Sequence, residues 1–391
     1  MERTWRWFGK KDSITLDMLR QIGVEGIVTA LHDVPNGEVW TVEAINDLKR
    51  YIEQAGLRWS VVESLPVSEA IKYGSPERDR LIESYKTSLA NLGKCGVKTV
   101  CYNFMPVIDW IRTDLSYRWP DGTSSLYFSK VRFAYFDCCI LKRDNAEKSY
   151  TDEEMQQVRQ LDKTITQEEK DELVYSIIVK TQGFVNGNIR EGDSNPVELF
   201  KALLALYSGV DRNTLRENLK YFLEQIMPVC DEYNINMTIH PDDPPFQVLG
   251  LPRIVTCEED VEWLLTAVDN PHNGLAFCAG SLSAGLHNDV VALARKFVGR
   301  SHFVHLRSTK AMPGGDFVEA SHLEGRGNLV ELVRIFERQA PASLPMRVDH
   351  GRTMLDDAQK NYNPGYSFLG RMYALAQVMG IVAAVRSEKL K

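Results

Sequence analysis

Four short apolar stretches in the second half of the chain share one pattern: hydrophobic positions alternate with small or polar ones, and the run stops at a residue that can bind a metal or a proton. Met237-Thr238-Ile239 runs into His240 and the proline-rich loop Pro241-Asp242-Asp243-Pro244-Pro245. Leu275-Ala276-Phe277 ends at Cys278, Phe303-Val304 at His305, and Met346-Arg347-Val348 at Asp349. Successive side chains of a strand point to opposite faces. Thr238, Ala276, Phe303 with Arg307, and Arg347 therefore share the faces of His240, Cys278, His305 and Asp349. The other faces read Met237/Ile239, Leu275/Phe277, Val304/Leu306 and Met346/Val348, all apolar. One side is fit to pack under helices and the other to line an interior whose ends carry chemistry, which is what a closed parallel barrel asks of its strands.

Upstream, Gly26 to His32, Arg58 to Leu65 and Val97 to Asn103 read as strands one to three, with His32 and Glu63 near the ends of the first two. Helical spacing over Ser13–Ile22, Thr41–Ala55 and from beyond Pro76 to about Leu92 alternates with them, the signature of βαβ units. Leu251–Thr256 adds a weaker strand, making eight, and residues 1–11 read as an aromatic, basic leader. Helices are expected over Asp211–Tyr233, Glu258–Val268, Asp289–Val298, Asn328–Ala340 and Gly370–Val385. Strand three and the His240 stretch are separated by far more chain than one crossover helix needs, so an insertion is expected over roughly 106–197. Its middle is charged, and Thr151-x-x-Glu154 and Thr166-x-x-Glu169 fit capping boxes that open two helices. A solvated helix face is expected there, with a lid or an oligomer contact as the functional alternative. One (β/α)8 barrel of about 250 residues plus this insertion accounts for the chain without a second domain.

Bulk numbers narrow the function classes. A net charge of −7 with both signs mixed argues against nucleic acid as partner, because phosphate binding needs a basic face. Seven cysteines, an odd set without a CxxC pair, read as reduced thiols. No apolar run approaches the roughly 18 residues of a membrane helix, and the first residues lack a secretion signal. A cytoplasmic location and no membrane partner are the expectations.

His240, Cys278, His305 and Asp349, each at its own strand end, make a plausible metal-ligand set that would converge at one mouth of a barrel. Each also has a bland alternative, a hydrogen-bonded core histidine or a cysteine packed among glycines. By parity His302 faces away and is structural. Arg307 fits a salt bridge in the mouth equally with a fork on a substrate carboxylate. His350 opens a turn beside Asp349 and could act as acid or base; Arg352 is ambiguous in the same way. Asp242-Asp243 is read mainly as a turn cap. Residues 308–325 carry Pro313-Gly314-Gly315 but neither GxGxxG nor GxxxxGK[ST], so a mobile lid is expected rather than a phosphate cradle, with His322 on it able to reach a substrate.

Several of these stretches carry a likeness. HPDDPP, FCAGSL, FVHLRS, the F-x-E-x-x-H-L-E-G segment from Phe317 to Gly325, DHGR with Pro364-Gly365-Tyr366, and the N-terminal Arg6-Trp7-Phe8-Gly9 and Val28-Thr29-Ala30-Leu31-His32 together resemble the mannonate dehydratase family over nearly the whole chain. The resemblance implies a xylose isomerase-like (β/α)8 TIM barrel that uses Mn²⁺ or Fe²⁺ and converts D-mannonate to 2-keto-3-deoxy-D-gluconate and water in hexuronate catabolism. It implies His240, Cys278, His305 and Asp349 as metal ligands and His350 and Tyr366 near the reacting carbons; from the residues themselves, Arg307 joins them as a catalytic candidate and His32, His322 and Arg352 are the substrate-binding candidates. A homo-oligomer is also expected. The rivals are an aldose-ketose isomerase on the same fold, which usually needs more carboxylates to hold two metals, and a non-catalytic sugar-acid sensor.

Overall fold

The alternating positions resolve into the two faces of eight parallel strands. A computed structural model of the chain describes residues 1–184 and 189–388. Twelve strands occur among the described residues: β1 (Glu2–Arg6), β2 (Gly26–Thr29), β3 (Arg58–Glu63), β4 (Thr99–Tyr102), β5 (Asp114–Arg118), β6 (Ser124–Phe128), β7 (Asn236–Ile239), β8 (Asn273–Cys278), β9 (Ser301–Leu306), β10 (Thr309–Ala311), β11 (Phe317–Glu319) and β12 (Pro345–Val348). The barrel closes in the order β1-β2-β3-β4-β7-β8-β9-β12.

Register puts the strand ends at one level. Cys278 of β8 lies opposite His305 of β9, which lies opposite Arg347 of β12. Outward residues Met237, Ile239, Leu275, Phe277, Val304, Leu306, Met346 and Val348 join the main apolar core beneath the helices. Inside the barrel, Val28, Val61, Cys101, Ala276 and Phe303 form a separate small cluster that floors the mouth. Burying an aliphatic side chain is worth about 1.5–3 kcal/mol. A one-residue slip exchanges the faces and forfeits that term along the strand, so the pattern that buries the core also aims the ligands.

The surrounding helices start where their caps dictate. Thr41 accepts from Ala44 N ahead of Val42–Gln54, and Asp211 from Thr214 N ahead of Arg212–Tyr233. Both expected capping boxes form, Thr151 with Glu154 and Thr166 with Glu169. Between β4 and β7 the chain first makes the antiparallel pair β5–β6, then helical segments from Lys130 to Phe184 and over Pro196–Ala205; residues 185–188 of the expected insertion lie outside the described residues. β6 pairs with β11 and β11 with β10, so this segment and the chain beyond β9 build one four-stranded sheet, β10-β11-β6-β5.

Four expectations are corrected. The leader is the first strand: Thr4 pairs with Gly26 and Arg347, while Trp5 turns outward, with Arg371 Cζ 4.0 Å from its ring and Phe368 6.1 Å away. Leu251–Thr256 is not a barrel strand. Pro252 has no N–H to give, and the N–H groups of Ile254 and Val255 donate to the Asp242 carboxylate at 2.8 and 2.7 Å instead of to a neighbouring strand. The terminal helix Phe368–Glu388 is long and apolar enough to cross a membrane, a run the composition argument passed over; Gly370, Arg371, Ala374, Leu375, Val378 and Val385 are its buried positions, and it packs on β12 and on helix Leu329–Gln339. The stretch expected as a mobile lid is the hairpin β10–β11, whose Phe317, Val318 and Glu319 are buried; Gly314 and Gly315, at φ 94° and 96°, form its turn.

Candidate active site

At the C-terminal ends of β7, β8 and β9, the ligand atoms of His240, Cys278 and His305 lie within 4.8 Å of one another. Asp349, just beyond β12, borders the group, with Oδ2 3.8 Å from Cys278 Sγ and 3.9 Å from His305 Nδ1. His240 Nδ1 lies 2.7 Å from the Pro241 carbonyl, a contact that occupies Nδ1 and leaves Nε2 as the nitrogen that would give up its proton to a bound metal. Fully buried His305 makes no hydrogen bond at Nε2, and Glu63 Oε1 stands 3.5 Å from that nitrogen. One sulfur, two imidazoles and a carboxylate, with one nitrogen not hydrogen-bonded, form a donor set that fits a divalent transition metal.

The charges around the group reinforce that fit. Burial works against charge on His240, yet the Cys278 sulfur, Asp109 and Glu63 outweigh it and raise the imidazole to about 10; the pocket favours positive charge at this spot. Burial and then Arg347 push His305 the other way, well below the usual imidazole value. Arg347 grips Glu63 with two hydrogen bonds of 3.1 and 3.0 Å and also donates to Asp349.

A second layer of buried charge comes from outside the barrel. Asp243 accepts from Arg112 at 2.8 and 3.2 Å and from Arg307 at 2.7 Å. Glu319 of β11 accepts from Arg112 at 2.5 Å. Arg307 Nε lies 3.1 Å from Glu319 and its Nη1 donates to Asp349 at 3.0 Å. Burial alone would lift the Asp243 and Glu319 carboxyls, but the two guanidiniums hold both below the usual carboxylate range. A cavity of about 60 Å³ opens onto the group, lined among others by Arg6, Asp109, Trp110, His240, Arg307, His350 and Tyr366. Arg6 also lines a larger cavity of about 860 Å³ that His32, Lys180 and Arg190 border.

The whole chain, residues 1–391, matches the family model for D-mannonate dehydratase (UxuA). The chain belongs to the D-mannonate dehydratase family. A mannonate dehydratase of Marinomonas sp. (strain MWYL1) is 47% identical, covering 99% of this chain and 100% of its own, and one of Chromohalobacter salexigens is 42% identical over 99% of both. The crystal structure of mannonate dehydratase from Streptococcus suis serotype 2 superposes with a TM-score of 0.81 at 34% identity, covering 100% of this chain and 96% of that one. A D-tagatose 3-epimerase-like protein shares the fold alone, at a TM-score of 0.53 and 8% identity. The enzyme is thus a mannonate dehydratase, a hydro-lyase.

The dehydratase brings some predicted residues together and leaves others apart. His350 and Tyr366 line the small cavity with ring centroids 5.1 Å apart. Burial, then the Asp349 charge, raises the Tyr366 phenol well above its ordinary value, so it keeps its proton. Arg307 is there too, with its guanidinium occupied by three protein carboxylates, the salt-bridge role of the two weighed. His32 borders the larger cavity, its Nε2 without a hydrogen-bond partner. His322 is buried close to Asp349 and Glu319 but lines neither cavity, and burial pushes it down to about 4. Arg352 lies outside both, donating to Asp121 at 2.8 Å and stacking 4.2 Å above Trp119.

Sequence reasoning missed Arg6, Asp109, Arg112 and Glu319 as site residues, and favoured a turn cap for Asp243 over a part in orienting His240. Asp242 does fix the loop through Ile254 and Val255, whereas Asp243 faces Arg112 and Arg307. For Asp243 the available signal was an acidic pair set among prolines just past a strand end.

Proposed function

We propose that the enzyme removes water from D-mannonate to give 2-keto-3-deoxy-D-gluconate in hexuronate catabolism, using one Mn²⁺ or Fe²⁺ held by His240, Cys278, His305 and Asp349. The observation that carries the metal reading is the convergence of three ligand atoms within 4.8 Å around a buried imidazole nitrogen that hydrogen-bonds to nothing. A bound divalent ion would spread the negative charge that builds on the substrate carboxylate as the neighbouring C–H bond breaks.

The chain supplies the rest. His350 and Tyr366 are the pair that takes the C2 proton and gives one to the hydroxyl leaving C3. Arg307 and Arg347 hold Asp349, and with it the edge of the ligand group, in one orientation. Trp110 and Tyr366, both buried and set against His350, keep water from the carbanion-like centre. One carboxylate and one cysteine in the set, instead of the several carboxylates of a two-metal isomerase, favour elimination over aldose-ketose isomerisation.

Cys278→Ala and His305→Ala variants test the ligand set. Both should lose stoichiometric metal and the greater part of turnover while remaining folded. Full metal content with full turnover in both would remove these residues from the site.

A further inference from the structure

The proton-transfer histidine has a partner that comes from outside the barrel. His350 Nδ1 lies 3.3 Å from Glu319 Oε1, and both side chains are buried, at 2% and 1% exposure. Glu319 is the last residue of β11, opposite Thr309 of β10, in the sheet that β6 helps to build. Arg112 and Arg307 hold its carboxylate from two sides. A carboxylate fixed in this way is an acceptor only.

We propose that Glu319 is a positioning residue for the dehydration: it accepts the Nδ1–H of His350, fixes the ring, and leaves Nε2 as the base that removes the C2 proton. The assignment rests on the reading in which His350 and Tyr366 share the two proton transfers. The C2–H bond breaks and its proton goes to His350 Nε2. Its electron pair forms the C2–C3 double bond as the C3–O bond breaks, and the oxygen leaves as water with a proton from Tyr366. The enol then becomes the 2-keto acid by taking a proton at C3 and releasing one from the C2 hydroxyl. The arrangement follows the logic by which an acidic partner orients a catalytic imidazole and stabilises the imidazolium that forms.

A competing contact exists. Arg307 Nη1, which can only donate, is 3.4 Å from the same Nδ1. The same Nη1 already donates to Asp349 at 3.0 Å, and Glu319 is the neighbour of Nδ1 that can accept its hydrogen, which gives the proposed tautomer. Because Glu319 is already held by two arginines, its charge stays in place as His350 gains a proton.

Glu319→Gln keeps the volume and one acceptor but removes the charge. It should lower kcat by tenfold or more, leave KM for D-mannonate within about twofold, and cost little further in a His350→Asn background, since both changes disable one unit. A raised KM at unchanged kcat, or full multiplication of the two effects, would overturn the proposal. Glu319→Asp, which keeps the charge and draws it back by one methylene, should fall between wild type and Glu319→Gln. Should these variants fold poorly, ¹⁵N NMR of histidine-labelled, metal-free wild type still decides. The resonances lost in His350→Asn should belong to a ring protonated at Nδ1, and an Nε2-protonated ring would refute the assignment. Absence of mannonate turnover in the wild type would instead sink the underlying reaction, whatever the tautomer.

Discussion

Arg112 is the residue on which the two halves of the buried charge network meet. It is fully buried, donates to Asp243 at 2.8 Å and to Glu319 at 2.5 Å, and lies 4.6 Å from the Phe317 ring. Arg112→Met keeps the aliphatic packing and removes the charge, leaving Arg307 as the one arginine that holds both buried carboxylates. Breaking a buried ion pair from one side costs about 3–5 kcal/mol, because the remaining charge is neither solvated nor paired. An unfolding entropy of about 2.1 cal/mol/K per residue gives this chain roughly 0.8 kcal/mol per degree, so the melting temperature should fall by about 4–6 °C. Differential scanning calorimetry near neutral pH measures it. Adding Asp243→Asn should recover part of the loss, since one orphaned charge is then gone. A single variant that melts with the wild type, or a double variant that falls by the full sum, would refute the claim that this network is an energetic unit.

The same network sets an acid limb. Asp243 and Glu319 are both held below their ordinary values, so the stability they contribute is complete above the unfolded carboxylate range, near 4, and is lost as pH falls through it toward their folded values. Wild type should therefore lose stability on acidification below about pH 5, and Arg112→Met should lose less over the same interval; equal slopes in urea melts would contradict this. Gly280 follows Cys278 by two residues, and a Cβ there would meet Arg307 Nε at 1.8 Å and Cδ at 2.6 Å. Arg307 is pinned by three carboxylates and cannot swing aside, so Gly280→Ala should cost about 1–3 kcal/mol of stability and lower kcat, and wild-type kinetics with a wild-type melting temperature would show that the arginine yields.

The parts legible in the sequence were those with a local cause. Helix starts at Thr41, Thr151, Thr166 and Asp211 follow from a hydroxyl or carboxylate three residues ahead of an amide. The inward faces of β7, β8, β9 and β12 follow from strict alternation, which carried His240, Cys278, His305 and Asp349 to one mouth. β1 escaped because its inward residues are Thr4 and Arg6, so Glu2–Arg6 shows no apolar run, and its outward Trp5 reads equally as a stray aromatic. Leu251–Thr256 misled for the opposite reason: its composition suits a strand, but the Ile254 and Val255 amides are taken by a carboxylate 12 and 13 positions upstream. Arg112, Asp243 and Glu319 became a unit only when a sheet brought positions 131 and 207 residues apart into contact. No local pattern announces a pairing of that span. A charged residue in an otherwise apolar run, as in Phe317-Val318-Glu319, is the trace it leaves.

The central claim is that this chain dehydrates D-mannonate with a metal held by the four strand-end ligands. Metal-stripped protein incubated with D-mannonate, alone and with Mn²⁺ or Fe²⁺ added back, and followed by 2-keto-3-deoxy acid formation, tests it most directly. Product should appear only when a metal is restored, and in proportion to the metal bound up to one per chain. Equal turnover by the stripped protein, or none with either ion from folded protein, would contradict the account.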